Sequence, residues 1–346
     1  MILSFIERLE KYHEEGLLLK QHHPTKDLTI WNYSPRVQYD KLWDDVTKAC
    51  RGLVTNSNGE VVARPFSKFF NYEEMVENEI PLQTFDVYEK MDGSLGIIFF
   101  YDGEWIVATR GSFTSPQANR AREILKKYDY EKLPKGWTTL CEIIYPENRI
   151  VCEYEYEELV MLCVKSNVSG IEYDYDSLRR ISEETKFPVV KKYHGLEDFD
   201  KLKTSITDDR EGYVIRFKNG LRIKIKGQEY VRLHRILTNI SSRDIWEYLK
   251  DGRPLDELLD KVPDEFYNWV KETETNLRNQ FNEISENVKK EFYELINRKE
   301  FAEKVRNNPL EHLLFTRLNS YSQKLDEMIW EKIYPPFVKP FKDDEI

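Results

Sequence analysis

Cysteine is scarce in this chain: there are four in 346 residues, Cys50, Cys141, Cys152 and Cys163. None is spaced as a Cys-x-x-Cys pair, which argues against the usual structural zinc frameworks and against a disulfide-stapled scaffold. Three of them sit inside apolar, strand-like runs, so they are expected to be reduced core thiols in a cytosol-like compartment, and the expected location is cytoplasmic. No run is apolar enough to span a bilayer, so no membrane partner is expected. The first residues, MILSFIERLEKYHEEGL, lack a basic leader and a small-residue cleavage site. Their apolar members Ile2, Phe5, Ile6, Leu9 and Tyr12 recur at helical spacing and predict an amphipathic helix rather than a targeting signal. His22 and His23 stand before a proline and are expected in a surface loop. Internal repeats and low-complexity tracts are absent.

What is present suits a soluble globular protein of two domains: 40% hydrophobic and 33% charged residues over a length that can bury two cores. The net charge of −10 argues at first against nucleic acid. The distribution argues otherwise. Arg210, Arg216, Lys218, Arg222, Lys224, Lys226, Arg232 and Arg235 fall within residues 210–235 against only Glu211 and Glu229, and phosphate contact is a local matter.

From about residue 28 to 235 the pattern is strand-rich. Asn58-Gly59, Asp102-Gly103 and Asn219-Gly220 each separate two β-like runs, the strongest short-range hairpin signal. They pair 52–55 with 60–66, 94–101 with 104–110, and 211–217 with 221–227. Helical stretches interrupt at PQANRAREILKKY and YDSLRRISEET. The expected class is therefore α+β with antiparallel sheets. After residue 236 the character changes. SSRDIWEYLK, DELLD and PDEFYNWVKETETNLRNQFNEISENVKKEFYELINRKEF read as helices, and PPFVKPFKDDEI as an extended tail. The expected division is 1–235, an antiparallel-sheet domain, and 236–346, an all-helical domain. The second part holds 17 basic and 23 acidic residues, so it is not a generic phosphate clamp.

The stretch YEKMDGSLG, residues 88–96, delivers a lysine, then at once an acid, a glycine and a serine. Lys90 is either an exposed charge beside a tight turn or a nucleophile at a pocket mouth. An amine at its ordinary pKa is protonated at neutral pH, and nearby cations and burial would free its lone pair. A two-residue turn at Asn219-Gly220 would pair Phe217 with Arg222, Ile215 with Lys224 and Tyr213 with Lys226. Arg222, Lys224 and Lys226 then share one face, with Glu211 diagonal to Lys226. A carboxylate among lysines suits a site for phosphates and Mg²⁺. By itself, this pattern fits an amphipathic surface hairpin better. ACRGLV places Arg51 at a strand start, and RPFSKFFNYEE places Lys68 before two aromatics. TTLCEIIYPENRIV puts Glu142 within an apolar run, where it is either buried and paired or on a solvent-facing alternate position.

In this order the stretches CRGLV, SKFFN, KMDGS, CEIIYPENRIV, EGYVIRF and KIKGQEYVRLH resemble the covalent nucleotidyltransferases, and among them the phage-type RNA ligase 1 family. They run from about residue 50 to 234. CEIIYPENRIV and SKFFN favour that branch, whereas the Lys-x-Asp-Gly signature is common to all. Two departures stand out. In TIWNYS, Trp31 occupies the place of an expected tyrosine, and KMDGS has methionine where an acid is commoner.

The resemblance implies an ATP-dependent RNA ligase whose nucleotidyltransferase domain is residues 1–235. Lys90 would attack the α-phosphorus of ATP to give lysyl-AMP. AMP would pass to an RNA 5′-phosphate, and a 3′-OH would then displace it. It implies that Asp92 positions the reacting groups, that Arg51 and Lys68 hold the leaving pyrophosphate, and that Glu142 bonds the ribose. Glu211 would hold Mg²⁺, with Mn²⁺ as a substitute, Lys224 and Lys226 would neutralise the α-phosphate, and Tyr230 would orient the triphosphate. Asp256 and Glu257 could take a second ion or could be ordinary acids in a helix's first turn. The expected partners are tRNA or single-stranded RNA with 5′-phosphate and 3′-OH ends, in RNA repair, with a polynucleotide kinase-phosphatase acting upstream. Two other readings stay open: a DNA ligase or GTP-using capping enzyme, which would carry an OB-fold after Lys226, and a non-catalytic protein that binds RNA ends.

Overall fold

A computed structural model of the chain describes residues 4–75, 79–148, 151–194, 199–207, 210–228, 230–231, 240–255, 258, 267–294, 301, 305–306, 308–318, 322–336 and 338. Two compact units are found, Met1–His234 and Arg235–Ile346.

The first unit carries β1 (Leu18–His22), β2 (Thr29–Tyr33), β3 (Arg51–Thr55), β4 (Val61–Ala63), β5 (Phe70–Asn71), β6 (Phe85–Lys90), β7 (Ser94–Tyr101), β8 (Glu104–Ala108), β9 (Trp137–Ile144), β10 (Glu158–Ser166), β11 (Lys192–Tyr193), β12 (Gly212–Phe217) and β13 (Arg222–Lys226). They form three sheets, ordered β1-β2-β3-β4, β10-β9-β7-β8 and β11-β6-β12-β13-β5. Every strand pair is antiparallel except β13 with β5, where Lys224 lies beside Asn71 in a parallel register. Strand structure begins at Leu18, ten residues earlier than the hydrophobic pattern suggests. His22 therefore ends β1 instead of lying in a loop, and His23 sets its ring edge-on against Phe113.

Alternation explains the layers. In β7 and β9, one set of residues, including Ile97, Phe99 and Leu140, packs with Ile30, Val54 and Ala63 of the first sheet. The other set, including Ile98, Cys141 and Ile143, packs under the helices Pro116–Leu125 and Tyr175–Thr185. All four cysteines are buried and free. In the third sheet Val87, Ile215, Ile223 and Ile225 face a core closed by Phe199 and Leu202 of the short helix Phe199–Thr204. The alternate residues of β6, Tyr88 and Lys90, are thereby turned to the opposite face, together with Lys224 and Lys226 of β13. The N-terminal amphipathic helix spans Phe5–Glu14 and starts with a Ser4–Glu7 capping box.

The register of the β12–β13 hairpin differs from the sequence expectation by one residue. Arg216 pairs with Arg222, Ile215 with Ile223, Val214 with Lys224, Tyr213 with Ile225, and Gly212 with Lys226. The cause is the turn. Lys218-Asn219-Gly220 is a three-residue loop, closed by Gly220 N–H to Phe217 O at 2.9 Å and Phe217 N–H to Leu221 O at 2.9 Å, with Gly220 at φ +88°. Asn-Gly here supplies the left-handed residue of a bulged turn rather than both central residues of a two-residue one. The Asp102-Gly103 turn does use two residues, since Tyr101 pairs directly with Glu104.

Glu172 ties sheets two and three. Its carboxylate accepts from both terminal nitrogens of Arg222, at 2.9 and 2.6 Å, and from Arg216 Nε at 3.0 Å, and Lys165 of β10 lies at 3.7 Å. Burial works to raise its pKa. The Arg222 hydrogen bonds and the surrounding positive charge outweigh that and hold it at about 2.

The second unit is helical in its described residues: Ser242–Lys250, Tyr267–Glu294, Glu311–Leu318 and Ser322–Lys332. Val288, Phe301, Val305, Leu314 and Ile329 form its core. Ser241 caps the first of these helices, with Asp244 closing a capping box. Most of the DELLD segment and of the tail lies outside the described residues.

Two outcomes follow. Gly212 has φ +146°, and a Cβ there would meet Ile225 O at 2.0 Å. Gly212→Ala is expected to destabilise the first unit by on the order of 3 kcal/mol, read by denaturant titration. Glu172 has its folded pKa depressed from 4.5, so its stabilisation is present above that value and is lost as pH falls toward about 2. Glu172→Gln should lower stability at neutral pH and reduce the loss of stability below pH 4.5, measured by melting temperature across acid pH.

Candidate active site

Lys90 is the last residue of β6, and the antiparallel pairing of β6 with β12 sets it opposite Gly212. Gly212 in turn pairs with Lys226. Two lysines therefore flank one glycine in a single row across three strands. Glu211 is the residue before that glycine and lies 4% exposed. Its carboxylate meets Lys90 Nζ at 2.5 Å and Lys226 Nζ at 3.8 Å. The sequence reading expected cations around Lys90 with Glu211 among them. The closest charged partner is that carboxylate, with Lys226 on its other side. Lys224, 9% exposed, sits two rows away on the same face, opposite Val214.

Glu142 comes from the second sheet, opposite Leu95 of β7 and Val160 of β10. It keeps some access to the cleft but is surrounded by protein. Burial first, and then the negative charge of Glu211 and Asp92, raise its carboxyl to about 8 against the pull of Lys90 and Arg51. Both sequence alternatives for Glu142 thus hold in part: it is on the alternate face, and that face is the cleft. Arg51 opens β3 with its guanidinium 5.9 Å from the Phe69 ring centre.

Asp92 is 2% exposed and accepts three hydrogen bonds. Val151 N–H and Cys152 N–H donate to one oxygen at 2.8 and 2.7 Å, and Tyr230 O–H donates to the other at 2.9 Å. The Asp92 N–H donates to Tyr154 Oη at 3.0 Å. Tyr230 is also buried, and Lys226 Nζ lies 5.6 Å from its ring centre. Tyr230 therefore touches Asp92 and Lys226 at once.

Lys68 occupies an aromatic cage. Its ammonium is 5.3 Å from the ring centre of Trp43, 5.5 Å from Phe70 and 5.8 Å from Tyr33, and it donates to Gln38 Oε1 at 3.1 Å. Such contacts stabilise a buried cation by ~1–2 kcal/mol each at most. Tyr33 also faces Arg110. Trp31 is a core residue whose indole N–H donates to Thr55 Oγ1.

No group of three or more His, Cys, Asp or Glu side chains converges as a metal-ligand set among the described residues. The residues present fit a hydrated divalent ion held through one carboxylate, since Glu211 offers oxygen donors and the remaining positions of such an ion are ordinarily filled by waters and phosphate oxygens. Asp256 and Glu257 lie outside the described residues. Tyr154, Asn148, Trp43, Gln38 and Glu172 escaped the sequence reading. Their partners are 30 or more residues away in sequence in most cases, and nothing local marks them. Glu142→Gln tests the electrostatics of this site. Because the folded pKa is raised, the contribution of the protonated carboxyl is full below pH 4.5 and disappears as pH rises through about 8. Melting temperatures from pH 4 to 9 should therefore fall more steeply with pH for the native protein than for Glu142→Gln.

A family profile described as RNA ligase matches residues 49–230. The RNA ligase of Rhodothermus phage RM378 is 23% identical over 403 aligned positions, covering 92% of this chain and 90% of that one. A protein of Autographa californica nuclear polyhedrosis virus, whose name pairs a polynucleotide kinase with an RNA ligase, is 28% identical over 62% of this chain and 34% of its own. Among solved structures, an archaeal ATP-dependent RNA ligase superposes with a TM-score of 0.50 at 16% identity, over 75% of this chain and 69% of that one, a likeness of fold. The matched segment begins two residues before Arg51, ends at Tyr230 and takes in Lys68, Lys90, Asp92, Glu142, Glu211, Lys224 and Lys226, and the chain belongs to the phage-type RNA ligase 1 family.

Proposed function

We propose that this RNA ligase uses ATP to join RNA 5′-phosphate and 3′-OH ends through a lysyl-AMP intermediate on Lys90. The observation that carries the reading is the Lys90–Glu211–Lys226 cluster: an amine at the end of a strand, 2.5 Å from a carboxylate that also meets a second lysine.

In the first step Glu211 is placed to take the proton that Lys90 must lose. The Nζ lone pair then forms a bond to the α-phosphorus, the bond to the bridging oxygen breaks, and pyrophosphate leaves with that electron pair. Lys224 and Lys226 neutralise the charge that develops on the α-phosphate, and in-line placement with electrostatics supplies the catalysis. Arg51 and the caged Lys68 hold the leaving pyrophosphate. Glu142, largely protonated at neutral pH, can both donate to and accept from ribose hydroxyls. Asp92 and Tyr230 fix the geometry behind the lysines. Glu211, with waters, would hold Mg²⁺ or Mn²⁺, which would draw charge off the phosphate oxygens when bound. In the second step an RNA 5′-phosphate oxygen takes AMP from Lys90, and in the third a 3′-OH attacks the activated phosphate and AMP leaves. Asp256 and Glu257 are candidates for a second ion. A cytoplasmic role in tRNA repair downstream of a kinase that restores 5′-phosphates agrees with the kinase–ligase name of the viral relative.

The experiment is label transfer from α-labelled ATP. The native protein should become labelled in the presence of Mg²⁺ or Mn²⁺, with no transfer from GTP or NAD, and Lys90→Ala should abolish the label. Label retained on Lys90→Ala would overturn the assignment. Faster sealing of a nicked anticodon stem-loop than of linear single-stranded RNA or a nicked duplex is the outcome expected for tRNA repair.

A further inference from the structure

We propose that Tyr154 and Asn148 are positioning residues that hold the turn carrying the nucleophile; the inference rests on Lys90 being that nucleophile. β6 ends at Lys90 and β7 starts at Ser94, so Met91, Asp92 and Gly93 are a three-residue link between strands of different sheets. A link of this length has few ladder hydrogen bonds to fix it. Asn148 together with Val151, Cys152 and Tyr154 supplies the missing ones.

Tyr154 Oη accepts from the Asp92 N–H at 3.0 Å. Val151 N–H and Cys152 N–H donate to the Asp92 carboxylate. Ser94 Oγ donates to Asn148 Oδ1 at 3.1 Å, and Asn148 Nδ2 donates to Ile143 O at 2.9 Å, which anchors that side chain on β9. The Tyr154 ring is itself held, since it packs with Met91, Ile144, Val160 and Val190. The turn has no slack in the other direction either. A Cβ on Gly93 would lie 2.7 Å from Ile143 O and 2.8 Å from Ile144 Cδ1. The link is therefore pinned from both sides, and a displacement of Tyr154, Val151 or Cys152 would be passed from Asp92 to Lys90 through two peptide units. A reacting amine displaced by even part of an ångström loses much of its in-line advantage.

Tyr154→Phe removes the acceptor and keeps the ring in its core. Single-turnover formation of the lysyl adduct from ATP is expected to slow about tenfold, with half-saturation by ATP unchanged and the melting temperature within about 2 °C of the native protein. Sealing of pre-adenylylated RNA, which bypasses the lysine, should stay within about twofold. Amide exchange should show faster exchange at Asp92. Asn148→Ala should slow adduct formation in the same selective way. An unchanged rate of adduct formation in Tyr154→Phe, with the native protein active, would overturn the positioning role alone. So would equal losses in adduct formation and in sealing of pre-adenylylated RNA. If the native protein forms no adduct, the nucleophile reading fails, and the positioning role fails with it.

Discussion

The row Lys90–Gly212–Lys226 is the constraint on which the rest of the first unit depends. Gly212 exchanges ladder contacts with two strands at once, and its backbone takes a φ of +146° with Ile225 O so near that no side chain fits. The close approach brings β6 and β13 to the same level on either side of β12. It also leaves Glu211, at the strand's entry, within reach of both lysines. Were this register to slip by one residue, Lys90 would turn to the Val87 face and enter the core. The hydrophobic alternation of β6, β12 and β13 therefore stabilises the site as much as it stabilises the sheet.

Charge is apportioned within one hairpin. Arg216 and Arg222, at the turn end, are consumed by Glu172, a carboxylate from the connection after β10. That ion pair joins two sheets and is deeply desolvated, so breaking it by removing one partner is costly. Lys224 and Lys226, at the other end, stay with the cleft. A stripe of three cations on one strand face is thus divided, one end holding sheets together and the other grouped with Glu211 and Lys90. The acidic net charge of the chain does not conflict with this, because a desolvated row of lysines acts over a few ångströms, inside a Debye length of about 8 Å.

The turn that follows Lys90 is held by another long-range device. Asp92 has all of its hydrogen-bonding directed at protein groups: Tyr154, Val151, Cys152 and Tyr230. It is better placed to organise than to contact a substrate. Through Tyr230 it is also linked to Lys226. The residues around a phosphate would thus be set by a network whose members come from three separate stretches of chain, which is what positioning chemistry requires.

Much of this was legible from residue order. Alternating apolar residues and Asn-Gly or Asp-Gly turns are local signals, and they located the three hairpins, the α+β class and the amphipathic N-terminal helix. The ordered stretches from CRGLV to KIKGQEYVRLH named Lys90, Asp92, Glu142 and Glu211, which the fold places in one neighbourhood. The hairpin register was misread because Asn-Gly serves both a two-residue turn and a bulged three-residue turn, and the choice is made by the pairing of the flanking strands rather than by the dipeptide. The cage of Tyr33, Trp43 and Phe70 around Lys68 and the hold of Tyr154 on Asp92 were invisible for a different reason. Each joins residues distant in sequence, and side-chain direction at such a meeting depends on how sheets stack. Sequence alone settled which groups this chain can offer to a phosphate. Tertiary packing decided which of them share a cleft, because only burial against a second sheet removes the solvent that would otherwise keep those charges apart.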